Sequence, residues 1–262
     1  MTPFFSFIKQ DIKRSFISWR FIGSVFAVFF LYSLSSISEM VLVGSEASVI
    51  YIFDAVNSFN SLMDIFLVIS VICYGTSYCE DHQSRYDLYL MTRINSRQYA
   101  IGRVLTCWLT TIIAVFAGTW LYILCLRTIY PWVNESFDYS SYLTFSDPKL
   151  LNHPIVYLLY LTFIRMLAAG MWSIAALACS TIVSSTFVTI ATPLLLNRVY
   201  SVIYWIFSLP SWLSIDFLTD SSAAFKNWAD ALLHTCSFFL IATFLFGVLF
   251  FLRVSRVVKK SA

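Results

Sequence analysis

Residues 79 to 103 read C-E-D-H-Q-S-R-Y-D-L-Y-L-M-T-R-I-N-S-R-Q-Y-A-I-G-R and lie between two long apolar runs. The stretch holds seven of the chain's thirty-one charged residues, so it reads as a water-facing connector with membrane on both sides. Four of the seven are basic: Arg85, Arg93, Arg97 and Arg103. Short loops rich in Lys and Arg stay on the cytoplasmic side. Residues 79–103 are therefore expected to form a cytoplasmic loop, the place where a soluble partner takes hold of a membrane protein.

Composition supports the membrane on either side. The 262 residues are 59% hydrophobic and 12% charged, with a mean hydropathy of +0.77, against about 45–50% and about 25% in soluble domains. At roughly 20 apolar residues per crossing, the length holds several spans and no soluble catalytic domain. The first residues, M-T-P-F-F-S-F-I-K-Q-D-I-K-R, lack the apolar core and cleavage site of a signal peptide, so the N-terminus is expected to be retained. Basic residues cluster before the first span, in the 79–103 loop and after the last span. That is the asymmetry of cytoplasmic segments and not a nucleic-acid footprint, so no nucleic-acid partner is expected. The six cysteines show no metal-ligand spacing and read as small buried hydrophobes.

The fold class expected is all-α: a polytopic membrane protein with six transmembrane helices, an N-terminal interfacial amphipathic helix (1–20) and both termini cytoplasmic. In residues 4–19, Phe4, Phe5, Ile8, Ile12, Phe16 and Trp19 share one helical stripe, with Lys9, Gln10, Lys13, Arg14 and Arg20 on the other side. Such a helix lies on anionic headgroups; a frayed start to the first span is the other reading. The transmembrane domain covers 21–253. Its spans are Phe21 to Ser38, Val56 to Tyr78, Val104 to Leu126, two within Pro154 to Phe207 joined by a turn at Ser180 to Ser185, and Ala231 to Leu252. External loops 39–55, 127–152 and 208–230 hold three basic and nine acidic residues between them, and 254–262 is a basic cytoplasmic tail. Residues 208–230 are apolar yet broken by Pro210 and several charges, as suits an interfacial or re-entrant piece. Asn134-Glu135-Ser136 matches a short glycosylation pattern that arises easily by chance.

Catalytic patterns are missing from the sequence. It has no His-Glu-x-x-His, Gly-x-Ser-x-Gly or G-x-x-x-x-G-K-[ST], and seven scattered glycines leave little from which to build a nucleotide cradle. The chain reads as a non-enzyme with no cofactor of its own. Charges at membrane depth are costly, which singles out Asp64, Arg165 and Arg198, either on a transport pathway or as snorkelling and ion-paired residues. On the first reading, Arg165→Ala impairs transport more than expression. In the central loop, residues 80–92 can form a short helix presenting Tyr86, Tyr89 and Leu90 at i, i+3, i+4, with Glu80, Asp81, Arg85 and Asp87 around them. Ser96 serves as N-cap for the helix that continues into span three. The mixture suits a docking surface for Glu80, Asp81, Arg85, Tyr86, Tyr89 and Arg93; a solvated hairpin is the alternative.

The order of these parts resembles the membrane (permease) subunit of type-2 ATP-binding-cassette exporters of bacteria. An acidic pair, Glu80-Asp81, precedes Tyr86 to Met91, then Thr92-Arg93-Ile94-Asn95-Ser96-Arg97-Gln98-Tyr99 and Ile101-Gly102-Arg103. The segment Leu209-Pro210-Ser211-Trp212-Leu213 between the last two spans is similar to that family as well. Arg103 stands where relatives often have lysine, so the positive charge is kept. The resemblance implies a second permease chain, homodimeric or heterodimeric, and separate ATPase subunits that carry ATP and Mg and dock on the 79–103 loop. It also implies membrane lipid around the chain, the bacterial cell membrane as its place, and an amphiphilic cargo such as an antimicrobial peptide, a drug or a lipid. Two other classes remain: an ion-coupled secondary transporter, for which Asp64 is the available acid, and an intramembrane enzyme, for which no paired acids or nucleophile and base are evident.

Overall fold

Within hydrocarbon a backbone amide has no water to bond, so apolar runs of this length satisfy themselves as helices. The structure, a computed structural model, describes residues 3–59, 63–91, 94–134, 153–220 and 228–261. In chain order the helices are α1 (Pro3–Phe16), α2 (Trp19–Val43), α3 (Val49–Phe59), α4 (Met63–Ile72), α5 (Ser77–Gln83), α6 (Tyr86–Met91) and α7 (Ser96–Ile129). They are followed by α8 (Pro154–Ser180), α9 (Thr186–Ile206), α10 (Ile215–Asp220) and α11 (Trp228–Ser261). Five of them, α2, α7, α8, α9 and α11, are long and apolar enough to cross a membrane. The architecture is that of a multi-pass helical membrane protein.

Local chemistry sets the boundaries. The Ser18 hydroxyl accepts from the Phe21 amide at 3.2 Å and starts α2, and Gly44, at φ +60°, takes the left-handed turn that ends it. At the end of α8, Ser180 and Thr181 donate to the carbonyls of Leu177 and Ala178, and the chain turns through residues 181–185 into α9. Asn95 caps α7 through its side-chain oxygen, 3.3 Å from the Arg97 amide. The expected cap, Ser96, is instead the first helical residue.

Two expectations need correction. The span read at Val56 to Tyr78 is helical over 56–59 and 63–72, with 60–62 outside the described residues, and its helix ends at Ile72, so that Cys73 to Tyr78 belong to a turn and the start of α5. Within α3 the Asn57 side-chain amide donates to the Phe53 carbonyl at 2.8 Å. The loop read at 39–55 is mostly helical, and only residues 44–48 lie outside α2 and α3. Residues 208–230 are broken as expected, into a 3₁₀ turn at Ser211–Leu213 and the short α10, while 221–227 fall outside the described residues. So does most of 127–152, including Phe137, Tyr139, Tyr142 and Phe145.

The bundle is built around α8, which packs on α3, α4, α7, α9 and α11. Small residues let its neighbours close in: Ala168, Ala169, Ala175 and Ala176 are buried. Its two ends differ. At one, the start of α3 bonds to the chain leaving α7, with the amides of Val49 and Ile50 donating to the carbonyls of Pro131 and Trp132. At the other, α1, the α5–α6 corner, the start of α7 and the end of α11 meet, with Phe7, Tyr78, Tyr99, Phe250 and Val254 in one apolar cluster. The first and last helices therefore share an end.

Gly118 of α7 marks the closest approach to α2, since a Cβ there would lie 2.6 Å from the Val25 carbonyl oxygen. Gly118→Ala is expected to destabilise the chain by about 1–3 kcal/mol through overpacking. Gly23→Ala, where a Cβ meets nothing within 4 Å, should not lower the melting temperature measured in detergent.

Candidate functional site

The loop read from sequence as a solvent-facing surface is anchored from beneath by a buried cluster of charges. Arg103, the first-turns arginine of α7, is 0% exposed. Its Nη1 donates to Asp11 Oδ1 of α1 at 2.7 Å and to the Tyr74 hydroxyl at 2.6 Å, while its Nη2 pairs with Asp81 Oδ2 of α5. Tyr74 in turn donates to Asp11 Oδ1 at 2.6 Å. The guanidinium carbon lies 5.5 Å and 5.4 Å from the ring centres of Tyr74 and Tyr99, within cation–π range. Arg14 of α1 closes the set by donating to Asp81 Oδ1 at 2.9 Å. Arg103, Asp11 and Asp81 thus neutralise one another away from water, as buried charge requires, and Arg14 adds its charge from the half-exposed edge of the set.

Sequence reading placed Arg103 among the water-facing charges and Asp81 on the docking surface, and both are buried. The reason is α1. Its docking face is not the apolar stripe but Phe7, Asp11 and Ser15, spaced four apart and all buried. Gly102 gives this face its seat, because a Cβ there would come within 2.7 Å of the Phe7 ring. Asp11 is the lone acid before Glu39, and that isolation among basic residues was the available signal for an internal partner.

A second set of pairs fixes the corner above. Arg20 of α2 pairs with Glu80, whose Oε1 also accepts from Thr76 at 3.0 Å. The short helix expected over 80–92 is interrupted: the Ser84 hydroxyl donates back to the Glu80 carbonyl at 2.7 Å, and Arg85 turns the chain at φ +57°. His82 Nδ1 sits 2.8 Å from Asp87 Oδ2 across that corner, and Gln83 donates to the Ser184 carbonyl at 3.0 Å, tying α5 to the α8–α9 turn. Cys79 is buried beside Thr189, and burial raises its thiol above the ordinary value. All six cysteines are free.

What remains exposed is the tip. Tyr86 and Tyr89 of α6 are 42% and 52% exposed. With Arg14, Ser84 and Arg85 they surround a depression of about 420 Å³ that has Asp81 among its lining residues. Arg14 stands 5.6 Å from the Tyr86 ring centre. Of the six residues assigned to docking, four (Asp81, Arg85, Tyr86, Tyr89) meet at this depression, Glu80 is turned toward Arg20, and Arg93 lies outside the described residues.

At membrane depth the three charged positions separate. Arg165 of α8 is buried, and its Nη2 donates to the Asn57 carbonyl at 2.6 Å. That carbonyl lies in the last described turn of α3, so Arg165 fastens α3 to α8 through a charged hydrogen bond. Tyr32 reaches the same residue, 3.1 Å from Asn57 Oδ1, and Tyr157 donates to Asp54 at 2.9 Å. Asp64 of α4 instead pairs with Arg198 of α9. This pair faces outward, with Arg198 68% and Asp64 40% exposed. No group of three or more His, Cys, Asp or Glu side chains able to hold a metal occurs among the described residues.

Arg103→Leu, which strands the buried Asp11 without its counter-charge and leaves Asp81 to Arg14 alone, is expected to cost about 3–5 kcal/mol, read as a lowered melting temperature in detergent. Arg85→Leu at the exposed tip should stay within about 0.5 kcal/mol. Arg165→Ala removes a charged hydrogen bond and should cost about 2 kcal/mol, with expression falling alongside any activity. Preserved expression and melting temperature for Arg165→Ala would return that residue to a pathway role.

No family model, curated protein or solved structure matches the chain.

Proposed function

We propose that the chain is the permease subunit of a type-2 ATP-binding-cassette exporter in a bacterial cell membrane, with α3 and α4 together making the sixth crossing and both termini cytoplasmic. The observation that carries this reading is the Arg103 cluster. A loop that merely connected two spans would have no need of it. Here an exposed tip bearing Tyr86 and Tyr89 is linked through Asp81 to α7 by a buried ion pair and to α1 by the half-exposed Arg14, so a push on the tip is passed to the start of a 34-residue helix. An ATPase that binds ATP and Mg on its own chain and changes shape on hydrolysis is the partner that such a lever serves.

The Asp64–Arg198 pair supports a second permease chain. Arg198 lies twelve residues into α9, about 18 Å along the axis and so inside a hydrocarbon core about 30 Å thick. An ion pair open to lipid at that depth is costly. A second chain covering the α4–α9 face, with an amphiphilic substrate such as an antimicrobial peptide, drug or lipid passing beside it, removes that cost. Asp64 also gives the alternative its one specific support, since an acid at this depth could serve an ion-coupled transporter working without an ATPase.

Purification of the tagged chain from its native membrane in mild detergent, followed by mass spectrometry, separates the two. Recovery of a soluble ATPase with the native chain but not with the Tyr86→Ala, Tyr89→Ala double variant is the expected result. A chain that comes out without any ATPase, and whose transport in vesicles follows an ion gradient and stops in Asp64→Asn, would establish the alternative.

A further inference from the structure

Away from both sites, α7 and α11 leave an open groove of about 450 Å³ between them, lined by residues 100–108 and 240–251. That volume falls within the range of about 300–1,000 Å³ found for ligand pockets. Its walls are apolar. The one hydroxyl, of Thr243, already donates to the Phe239 carbonyl at 2.7 Å, and the Trp108 indole edge is turned to Gly170 of α8. Gly247 opens the groove: it faces Val104, whose Cγ1 would be 3.5 Å from a Cβ at 247, so any longer side chain would fill the space.

The dimensions select an occupant. Residues 100–108 cover about 12 Å of α7 and 240–251 about 16 Å of α11, roughly half of a hydrocarbon core about 30 Å thick. The groove is therefore one leaflet deep. Spread along those 12–16 Å, the volume gives a slot of about 30–40 Å² in mean cross-section. The two helices run in opposite directions, and the groove ends at the same end of the bundle as the Arg103 cluster, where Ala100 meets Phe250 and Val254. One turn beyond Ile101, on the same stripe of α7, stands the exposed Arg97, and α11 continues with the exposed Arg253 and Arg256. Of the acids of this end, Asp11, Glu80 and Asp81 are each engaged in an ion pair with arginine, and Asp87 is buried against His82. Lys9, Lys13, Arg85 and Arg97 are exposed there. An apolar slot one leaflet deep thus opens onto a surface of positive sign.

From this geometry we infer that the α7–α11 groove is a binding site for an anionic phospholipid of the surrounding bilayer, one acyl chain lying along Val104, Trp108 and Gly247 and the phosphate over Arg97. The inference needs only that the chain resides in a bilayer and does not depend on the transport reading. A lipid seated there would brace the helix that carries Arg103 against the last helix of the chain, from the side opposite α1.

The test uses the full chain reconstituted in phosphatidylcholine vesicles, doped with either phosphatidylglycerol or phosphatidylcholine that carries a photoactivatable acyl chain. Labelled peptides are then mapped by mass spectrometry. Labelling concentrated in 100–108 and 240–251, and stronger with the phosphatidylglycerol probe, is the expected pattern. Arg97→Gln should cut the phosphatidylglycerol preference about fivefold while leaving the labelled positions unchanged, as removal of one basic residue at the surface predicts. Gly247→Leu should bring groove labelling down to the level of the other lipid-facing helices. Label spread evenly over the exposed residues of α9 and α11, equal labelling by both headgroups in the native chain, or cross-linking of the groove to another protein chain would each overturn the proposal. Should Gly247→Leu fail to accumulate, the native label map and Arg97→Gln still decide the matter.

Discussion

A guanidinium sealed from water has to be neutralised where it stands, and at Arg103 that requirement draws together parts of the chain distant in sequence. Asp11 comes from the first helix, Asp81 from the corner after α4, and Tyr74 from the approach to that corner. Neither carboxylate could be buried alone, and neither could the arginine, because an unpaired charge in the interior costs several kcal/mol even after relaxation. Their mutual dependence fixes the position of α1 on α7 and the height of the α5–α6 corner above it. The exposed tyrosines of α6 owe their setting to this cluster, although they take no part in it.

The same logic operates at membrane depth with backbone in place of carboxylate. The Asn57 carbonyl, in the last described turn of α3, has no water around it to compete for its lone pairs. Arg165 supplies a donor, and a charge that looks functional from its position alone acts to fasten α3 to α8. Asp64 and Arg198 differ in that their pairing leaves both side chains open at the surface of the chain. Burial tells the two situations apart: one arginine is enclosed by its own bundle, and the other still lacks a surrounding.

These features give the molecule polarity along its axis. One end concentrates paired acids beneath an exposed basic surface, and the apolar groove between α7 and α11 opens onto it. The other end is built from the backbone joints between the start of α3 and the chain leaving α7. The exposed tip of α6, the basic rim and the apolar slot all lie at the first end. α8, buried along most of its length, connects the two ends.

Much of the fold was legible because hydrophobic run length is a property of sequence. Five spanning helices, the turn at residues 180–185 and the broken character of residues 208–230 follow from where apolar runs start, stop and are interrupted. The tip residues Tyr86 and Tyr89 were legible for a related reason, being aromatic positions in a polar stretch between spans. What the sequence could not yield were the partners. That Asp11 belongs to Arg103, that Asp81 points inward, that Arg198 and not Arg165 meets Asp64, and that Arg165 bonds the backbone of α3 are all decided by packing. Periodicity sorts side chains by the face of one helix, whereas charge pairing depends on which faces of different helices meet. That is set only when the bundle closes, since the energy of a buried charge lies almost wholly in neighbours remote along the chain.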